Sequence, residues 1–276
     1  MIINWFPGHM NRSLREMEEK IRLVDAVVYV LDSRAPFSCI NPELDRISEG
    51  KPVVYVLNKA DLVEAADLSC WIARLSGSGK YALKLDSTAT NASKVLAEKL
   101  REVCADKIAK KKARGINAVI RAMVIGVPNS GKSTLINNLC GKAKTLTGNK
   151  AGVTRGQQWV RVTPYLEVLD TPGTLYPKLD DRTVALDLAF IGSIRDEVLD
   201  MYGLAAELVK KLAPSGAIER RYGVVPSADE HETLTDIARA RGFLVKGGET
   251  DDERAAYAVI DDFRKGRMGK IILEKA

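Results

Sequence analysis

The 276-residue sequence is poor in the features that build disulfide, zinc or membrane-spanning structures. Its four cysteines stand more than thirty residues apart, with no Cys-x-x-Cys pair and no histidine nearby, which argues against a disulfide framework or a zinc site. No apolar run approaches the roughly 20 residues of a transmembrane helix. The N-terminus lacks the basic and apolar segments of a secretory signal. We therefore expect a soluble, cytoplasmic chain with reduced cysteines.

Length and hydrophobic patterning indicate two domains. A single core stops growing at roughly 250 to 300 residues, so a chain of this size is expected to divide. Apolar runs typical of buried strands alternate with helical patterns up to residue 177, which predicts a mostly parallel sheet flanked by helices. Only helical patterns follow. We expect an α/β domain over residues 1–177 and a small all-helical domain over residues 178–276.

Periodicity and end signals place the individual elements. Strands are predicted at 27–31, 52–57, 81–85, 120–125, 159–163 and 165–169, the last two forming a hairpin. Helices are predicted in the first domain at 11–23, 41–48, 65–75, 92–112 and 132–140. In the second domain they are predicted at 183–191, 196–212, 230–241 and 251–264.

The positive charge is concentrated in the first domain. Residues 1–176 hold 26 Lys and Arg against 17 Asp and Glu, whereas residues 177–276 hold 16 against 19. The excess is densest on a predicted helix and the turn after it, at Lys107, Lys110, Lys111, Lys112 and Arg114. Two interpretations of this cluster stay open: a solvated helix face, or a contact with RNA phosphates.

A phosphate-binding loop is predicted at residues 126–133, which read Gly-Val-Pro-Asn-Ser-Gly-Lys-Ser. The segment follows a predicted strand and opens a predicted helix, the context that this motif requires. Its glycines let backbone amides face phosphate oxygens, Lys132 supplies a cation near the β- and γ-phosphates, and Ser133 offers a hydroxyl to Mg²⁺. The expected phosphate-binding residues are Pro128, Asn129, Ser130, Gly131, Lys132, Ser133, Thr134 and Gly173.

The motif Asn58-Lys59-Ala60-Asp61 predicts guanine as the base. Guanine presents two adjacent donors, the ring N1–H and the exocyclic amine, and the carboxylate of Asp61 can accept from both. Adenine lacks this pair of donors. Asn58 is expected to bond the base and brace the phosphate loop, while the stem of Lys59 lies along the base plane.

Further segments complete the predicted site. Asp170 and Gly173, in Asp-Thr-Pro-Gly after the hairpin, are expected to reach Mg²⁺ and to sense the γ-phosphate. The hydroxyl of Thr154 is expected to close over Mg²⁺ when a triphosphate is bound. Ser87 and Thr88, which follow the strand at 81–85, are candidates for contacting the guanine carbonyl.

The guanine motif precedes the phosphate loop, whereas ordinary GTPases carry these motifs in the opposite order. With this order the sequence resembles the circularly permuted ribosome-assembly GTPases, most closely the bacterial ribosome biogenesis GTPase A family of the YlqF/YawG type. Besides the nucleotide motifs, the segments that carry the resemblance are Trp5-Phe6-Pro7-Gly8-His9-Met10, Asp32-Ser33-Arg34-Ala35-Pro36 and Gly152-Val153-Thr154-Arg155.

The resemblance implies a GTPase that acts in late maturation of the large (50S) ribosomal subunit, as a monomer, with ribosomal RNA as its partner. The basic surface of the first domain and the helical tail are the expected RNA contacts. Because the tail is net negative, contacts there depend on local groups, for which the candidates are Lys210, Lys211, Arg220 and Arg221. The second switch, which begins at Asp170, runs directly into the helical domain, so its ordering is expected to reposition that domain.

Hydrolysis is expected to be slow until a partner accelerates it. Many GTPases place a water-orienting glutamine directly after Asp-x-x-Gly, where this chain has Thr174. Asn129 resembles the asparagine that coordinates an activating K⁺ in several GTPases, or it stabilises the turn of the loop. His9 suits proton transfer or water positioning, or it has a structural or ribosome-contacting role. The catalytic candidates are His9, Asn129, Lys132, Thr154 and Gly173.

The sequence also bears on three alternative functions. An ATP-using kinase or ATPase is disfavoured by Asp61, since adenine offers it no pair of donors. A nucleotide-insensitive RNA-binding scaffold is disfavoured because the lysine and the hydroxyl and carboxylate groups for Mg²⁺ are all present. A GTPase that serves tRNA modification or the small subunit is not excluded by the charge pattern.

Overall fold

The fold is organised around a six-stranded sheet, seen in a computed structural model that describes residues 8–141, 156–176 and 179–276. Its strands are β1 (Ala26–Asp32), β2 (Val53–Asn58), β3 (Lys80–Lys84), β4 (Ile120–Ile125), β5 (Gln158–Thr163) and β6 (Leu166–Asp170). The spatial order is β3-β2-β1-β4-β6-β5. Neighbouring strands are parallel except β5 and β6, which form the predicted antiparallel hairpin.

Helices cover the sheet and form the remainder of the chain. Those of the first part are α1 (Gly8–Lys20), α2 (Pro42–Ile47), α3 (Ala65–Leu75), α4 (Ala92–Val103), α5 (Ala105–Ala113) and α6 (Lys132–Cys140). Those after the sheet are α7 (Arg182–Phe190), α8 (Met201–Leu212), α9 (Ala217–Tyr222), α10 (Glu230–Ala240) and α11 (Asp252–Arg264). Aspartate side chains accept a first-turn N–H at the start of α7, α8, α10 and α11, which satisfies donors that the helix itself leaves unpaired.

Two predicted helices were wrong as single elements. The helix predicted at 92–112 bends at Cys104, which is buried and has a ψ of 13°. The bonds Cys104 N–Leu100 O and Ile108 N–Cys104 O, both 3.0 Å, continue across the bend. The helix predicted at 196–212 is interrupted after a 3-10 turn at Asp196–Val198, because the extended Asp200 caps a new start at α8. Helix α9 was not predicted.

The two faces of the sheet bury separate cores. One face, with Val28, Val56 and Val124, packs under α4 and α6. The other face, with Tyr29 and Leu57, shares one continuous apolar cluster with the helical region, whose members there include Leu188, Phe190 and Phe263. The chain becomes all-helical after β6, but its apolar core continues across the expected boundary at residue 177.

The last residues of the chain run back along the loops beside the guanine motif. The N–H of Ile271 donates to the carbonyl of Leu62 at 3.0 Å, and the N–H of Leu273 donates to the carbonyl of Arg34 at 2.8 Å. The carboxylate of Glu274 accepts from the N–H groups of Phe37 and Ser38 at 2.6 and 3.0 Å. The end of the helical region is therefore attached to the loops that follow β1 and β2.

The predicted site residues gather where the parallel strands end. Asp32, Asn58 and Asp170 close β1, β2 and β6, and the phosphate loop follows β4. Ligands of open α/β sheets bind at this carboxyl edge. In the part of the chain that the structure describes, no helix is long and apolar enough to cross a membrane.

Candidate nucleotide-binding site

The phosphate loop is held in a conformation that depends on its glycines. Gly126 and Gly131 have φ values of 145° and 99°. A Cβ on Gly126 would lie 2.3 Å from the carbonyl oxygen of Val30, and one on Gly131 would lie 2.1 Å from Nδ2 of Asn58. Both contacts are too short for any side chain, so only glycine permits the loop to pack this closely.

Lys132 lies inside the loop with its ammonium directed at backbone oxygens. Nζ donates to the carbonyls of Gly126 at 3.1 Å and Val127 at 2.8 Å. Burial lowers the pKa of Lys132 to about 8, and the nearby carboxylate of Asp170 opposes that shift. The N–H groups of the Lys132 ammonium are suited to phosphate oxygens, because anionic oxygens bind an ammonium more strongly than carbonyls do.

Asp170 is a buried carboxylate at the end of β6. Neither of its oxygens has a hydrogen-bond partner in the described part of the chain. Burial raises the pKa of Asp170 to about 6, and Lys132 opposes the rise. The hydroxyl of Thr171 fixes the backbone by donating to the Val124 carbonyl at 2.6 Å. A buried carboxylate of this kind needs a cation or donor, so Asp170 and the hydroxyl of Ser133 at the start of α6 fit Mg²⁺.

Asn58 connects the guanine motif to the phosphate loop. Its Nδ2 donates to the carbonyl of Ser130 at 2.7 Å. Its Oδ1 accepts from both the N–H and the hydroxyl of Ser87, at 2.9 and 2.7 Å. The Ser87 hydroxyl, a candidate for contacting guanine, donates to Asn58. Thr88 donates from its N–H and hydroxyl to Asp86 at 2.8 and 2.6 Å.

Lys59 is anchored by Asp32, to which the sequence assigns no role, and by the phosphate loop. Its Nζ donates to Asp32 at 2.7 Å and to the carbonyl of Asn129 at 3.0 Å. The buried Asp32 carboxylate also accepts from Arg34, whose Nε and terminal nitrogen lie 2.9 and 2.8 Å from its two oxygens. Although burial alone would raise it, Arg34 and Lys59 hold the pKa of Asp32 well below its usual range.

The same arginine joins this network to the helical region. A terminal nitrogen of Arg34 donates to the carbonyls of Phe263 and Arg264 at 3.1 and 3.2 Å. Its guanidinium carbon lies 5.0 Å from the centre of the Phe263 ring.

Asp61, the predicted base-reading carboxylate, is exposed at the end of the guanine motif.

The segment after Asp170 packs tightly on the phosphate loop. A Cβ on Gly173 would lie 2.6 Å from Cα of Pro128 and 2.9 Å from Nζ of Lys132. Thr174 and Leu175 are fully buried. The positions where a water-orienting side chain is common in GTPases are therefore turned away from solvent here.

Helix α1 reaches this segment from the N-terminal end. The sulfur of the buried Met10 accepts from the N–H of Leu175 at 3.5 Å. His9 is the exposed neighbour of Met10, so the fold brings its helix beside the second switch.

Thr154, the predicted Mg²⁺ ligand, lies outside the described residues.

The phosphate loop is also bonded to the turn after α7. The Ser193 hydroxyl donates to the carbonyl of Pro128 at 2.7 Å in a buried bond. Nδ2 of Asn129, a residue with a φ of 59°, donates to the carbonyl of Gly192 at 2.7 Å. These two hydrogen bonds join the phosphate loop directly to the helical region.

Basic residues of the tail that were expected to contact RNA are engaged within the protein. Lys211 pairs with Asp187, and Arg221 donates to Asp262 at 2.7 Å. Lys210 lies 4.0 Å from Glu230. Arg220 donates to a backbone carbonyl at 2.9 Å.

Comparisons with known proteins agree with this architecture. Residues 121–214 match the family described as 50S ribosome-binding GTPase. Ribosome biogenesis GTPase A of Bacillus cereus is 38% identical, over 99% of this chain and 94% of the relative. That of Thermotoga maritima is 30% identical, over 99% and 94%. The solved structure of GNP-bound YlqF from T. maritima matches with a TM-score of 0.68 and 28% identity, covering 96% of this chain and 98% of that one. Identity at this level along the whole of both chains shows that this protein is a GTPase of the ribosome biogenesis GTPase A family.

Proposed function

We propose that this GTPase is a nucleotide-gated assembly factor for the large ribosomal subunit, which hydrolyses GTP to GDP and phosphate. The relatives from B. cereus and T. maritima carry ribosome biogenesis in their names, and the family matched by residues 121–214 is described as 50S ribosome-binding. Ribosomal RNA of that subunit is the proposed partner of the basic first domain. The protein works as a monomer in the cytoplasm.

Guanine is bound in this proposal by Asn58, Lys59 and Asp61. Asp61 is exposed and accepts the two adjacent N–H groups of the base. Lys59 is supported by its bonds to Asp32 and to the phosphate loop, which hold its stem in one position. Ser87 contributes through Asn58, because it donates to the amide oxygen of Asn58 and holds it in position. The backbone of Ser87 and the residue Thr88 lie beside the guanine base.

The phosphates are bound by the loop from Pro128 to Thr134. Lys132 exchanges its carbonyl partners for phosphate oxygens, which carry more negative charge. Ser133, Thr154 and Asp170 hold Mg²⁺, which neutralises charge on the phosphates when bound. The carboxylate of Asp170, which accepts no hydrogen bond from the residues that the structure describes, supports its place in this set.

Hydrolysis is slow in the isolated protein and is accelerated by the assembling subunit. The buried Thr174 and Leu175 support this, because neither side chain is accessible to an attacking water. His9, on the helix that contacts the second switch, acts either on water or in a ribosome contact. K⁺ bound through Asn129 supplies positive charge beside the phosphates.

The observation that carries the gating proposal is the pair of bonds between the phosphate loop and the turn at Gly192 and Ser193. Residues 1–177 act as the GTPase domain and residues 178–276 as the domain that responds to nucleotide. A ligand that shifts the loop changes the free energy of the docked helical arrangement, because the two are bonded directly. The second switch provides another connection between the same parts.

Two measurements test the proposal. Calorimetry is expected to detect GTP and GDP binding and no comparable binding of ATP. Co-sedimentation is expected to retain the protein on immature large-subunit particles with a non-hydrolysable GTP analogue and to release it with GDP. Equal retention with both nucleotides contradicts the gate, and retention on small subunits or tRNA alone assigns the GTPase to that alternative partner.

A further inference from the structure

A surface of mixed basic and aromatic side chains begins beside the start of β4 and extends along β5, where Trp159 lies opposite Leu169. It lies between α5 and the β5–β6 hairpin. We call it the basic aromatic surface, and its members are Lys107, Lys110, Lys111, Arg121, Trp159 and Tyr165.

A chain of contacts makes these residues neighbours. Lys107 forms an ion pair with Asp25, whose carboxylate also accepts from the N–H of Arg121 at 3.0 Å. The guanidinium carbon of Arg121 lies 5.6 Å from the centre of the Trp159 ring. The N–H of Ile120, the residue before Arg121 in β4, donates to the carbonyl of Tyr165 at 2.9 Å. Helix α5, β4 and the hairpin are therefore linked by this chain of contacts.

The aromatic members of this surface are exposed. Trp159 has 41% and Tyr165 52% of its surface accessible, whereas Trp71 has 1%. Arg121 is also half exposed, and its Nε is held by Glu167 at 3.0 Å while the guanidinium lies near the indole. A flat ring presented to solvent beside a fixed arginine is a ready stacking platform.

Positive charge surrounds this platform. Partial burial, followed by the charges of Lys111 and Arg121, lowers the pKa of Lys107, which reflects how closely the three cations lie. Lys110 is exposed on the same helix. Lysines beside exposed rings suit a polyanion whose bases have accessible faces, since phosphates meet the cations while a base meets the ring.

We propose that the basic aromatic surface binds an unpaired segment of RNA, with a base stacked on Trp159 and phosphates on the α5 lysines. The inference rests on the proposed function, which supplies RNA as the partner. Unpaired RNA fits better than a duplex, because base pairing buries the base faces that a tryptophan would contact.

The test is a titration of the full chain with an oligoribonucleotide of about 12 nucleotides, unpaired or annealed to its complement. The unpaired form is expected to bind more tightly and to quench tryptophan emission. Trp159→Ala is expected to weaken binding about 5- to 100-fold, and Trp159→Phe, which keeps a stacking ring, to weaken it less. Lys111→Ala is expected to reduce the salt slope of the affinity by about 0.7.

Lys94→Ala is the matched control, since Lys94 is an exposed lysine near the nucleotide end of α4. It is expected to leave affinity and salt slope unchanged. Equal affinity for both oligonucleotides, or undiminished binding by Trp159→Ala, overturns the inference.

A photo-crosslinking phenylalanine analogue at position 165 extends the test to large-subunit particles. Crosslinks to RNA support the surface, and crosslinks to protein alone overturn it. If the wild-type chain binds no particle, the proposed function fails, while the oligonucleotide titration still decides whether this surface binds RNA.

Discussion

The hydroxyl of Ser193 donates a hydrogen bond of 2.7 Å to the carbonyl of Pro128, which joins the turn after α7 to the phosphate loop. Asn129 adds a second bond from the loop to Gly192. The loop cannot shift without moving or breaking this junction. The sequence predicts coupling through the second switch, and the structure also connects the phosphate loop directly to the helical region.

Ser193→Ala is expected to weaken the coupling between nucleotide and particle binding. The substitution leaves the Pro128 carbonyl without this donor in a buried position, at a cost of about 1 to 2 kcal/mol in the free energy of unfolding. Co-sedimentation is expected to show a smaller difference between GTP analogue and GDP. Ser215→Ala is the control, because it removes a hydroxyl-to-carbonyl bond within the helical region only. A similar loss of nucleotide discrimination in both variants would contradict a specific role for Ser193.

Asp61→Asn is expected to change the base that the protein selects. The amide presents an N–H group to the guanine amine where the carboxylate accepted from it, so GTP affinity is expected to fall about 100-fold or more. Xanthosine triphosphate, which carries a carbonyl at that position, is expected to bind the variant more tightly than GTP does. Calorimetry measures both affinities. Glu64→Gln, at a nearby exposed carboxylate, is expected to bind GTP like the wild type.

Arg34→Ala is expected to be strongly destabilising because it removes most of the compensation for a buried charge. Asp32 and Arg34 are both almost fully buried, and among the described residues only Lys59 would remain as a charged partner of the carboxylate. The expected cost in the free energy of unfolding is about 3 to 5 kcal/mol. The double variant Asp32→Asn/Arg34→Met is expected to recover much of it, as measured by urea denaturation. Costs that simply add in the double variant would show that the two residues are not coupled.

Potassium is expected to accelerate hydrolysis relative to sodium, and Asn129→Ala is expected to remove the difference. Asn129 has a positive φ, so alanine also introduces backbone strain, whereas Asn129→Gly removes the side chain without it. Single-turnover rates in the two salts provide the measurement. Ser193→Ala, which weakens the same junction but keeps Asn129, is expected to retain the potassium effect. One rate in both salts for the wild type would remove K⁺ from the proposed site.

The strands and the nucleotide motifs were predictable because their signals are local. β4 and α6 have the predicted bounds, since a short apolar run and a glycine-rich turn define them within a few residues of sequence. The bend at Cys104 had no such signal, because neither glycine nor proline marks it and the helical bonds continue across it. Burial of one face of α4, not local propensity, sets where that helix turns.

Contacts between distant parts of the chain could not be predicted from the sequence. Arg34 meets the carbonyl of Phe263, 229 residues later, and nothing near either residue indicates the other. The same limit affected the tail, where Lys211 and Arg221 appeared as candidate RNA contacts but form ion pairs with Asp187 and Asp262. A count of charged residues cannot distinguish a Lys or Arg side chain that is available to a ligand from one that forms an ion pair within the fold.

Gly173→Ala is expected to impair hydrolysis far more than binding of GDP. The added Cβ would lie 2.6 and 2.7 Å from backbone atoms of Pro128, so the second switch must move away from the phosphate loop. A displacement approaching 1 Å near reacting groups costs roughly 100-fold in rate. Gly77→Ala is the control, because a Cβ there meets no heavy atom within 4 Å. Single-turnover rates with GTP and calorimetry with GDP separate the two effects. Wild-type hydrolysis by Gly173→Ala would mean that close packing of this glycine on the loop has no part in the reaction.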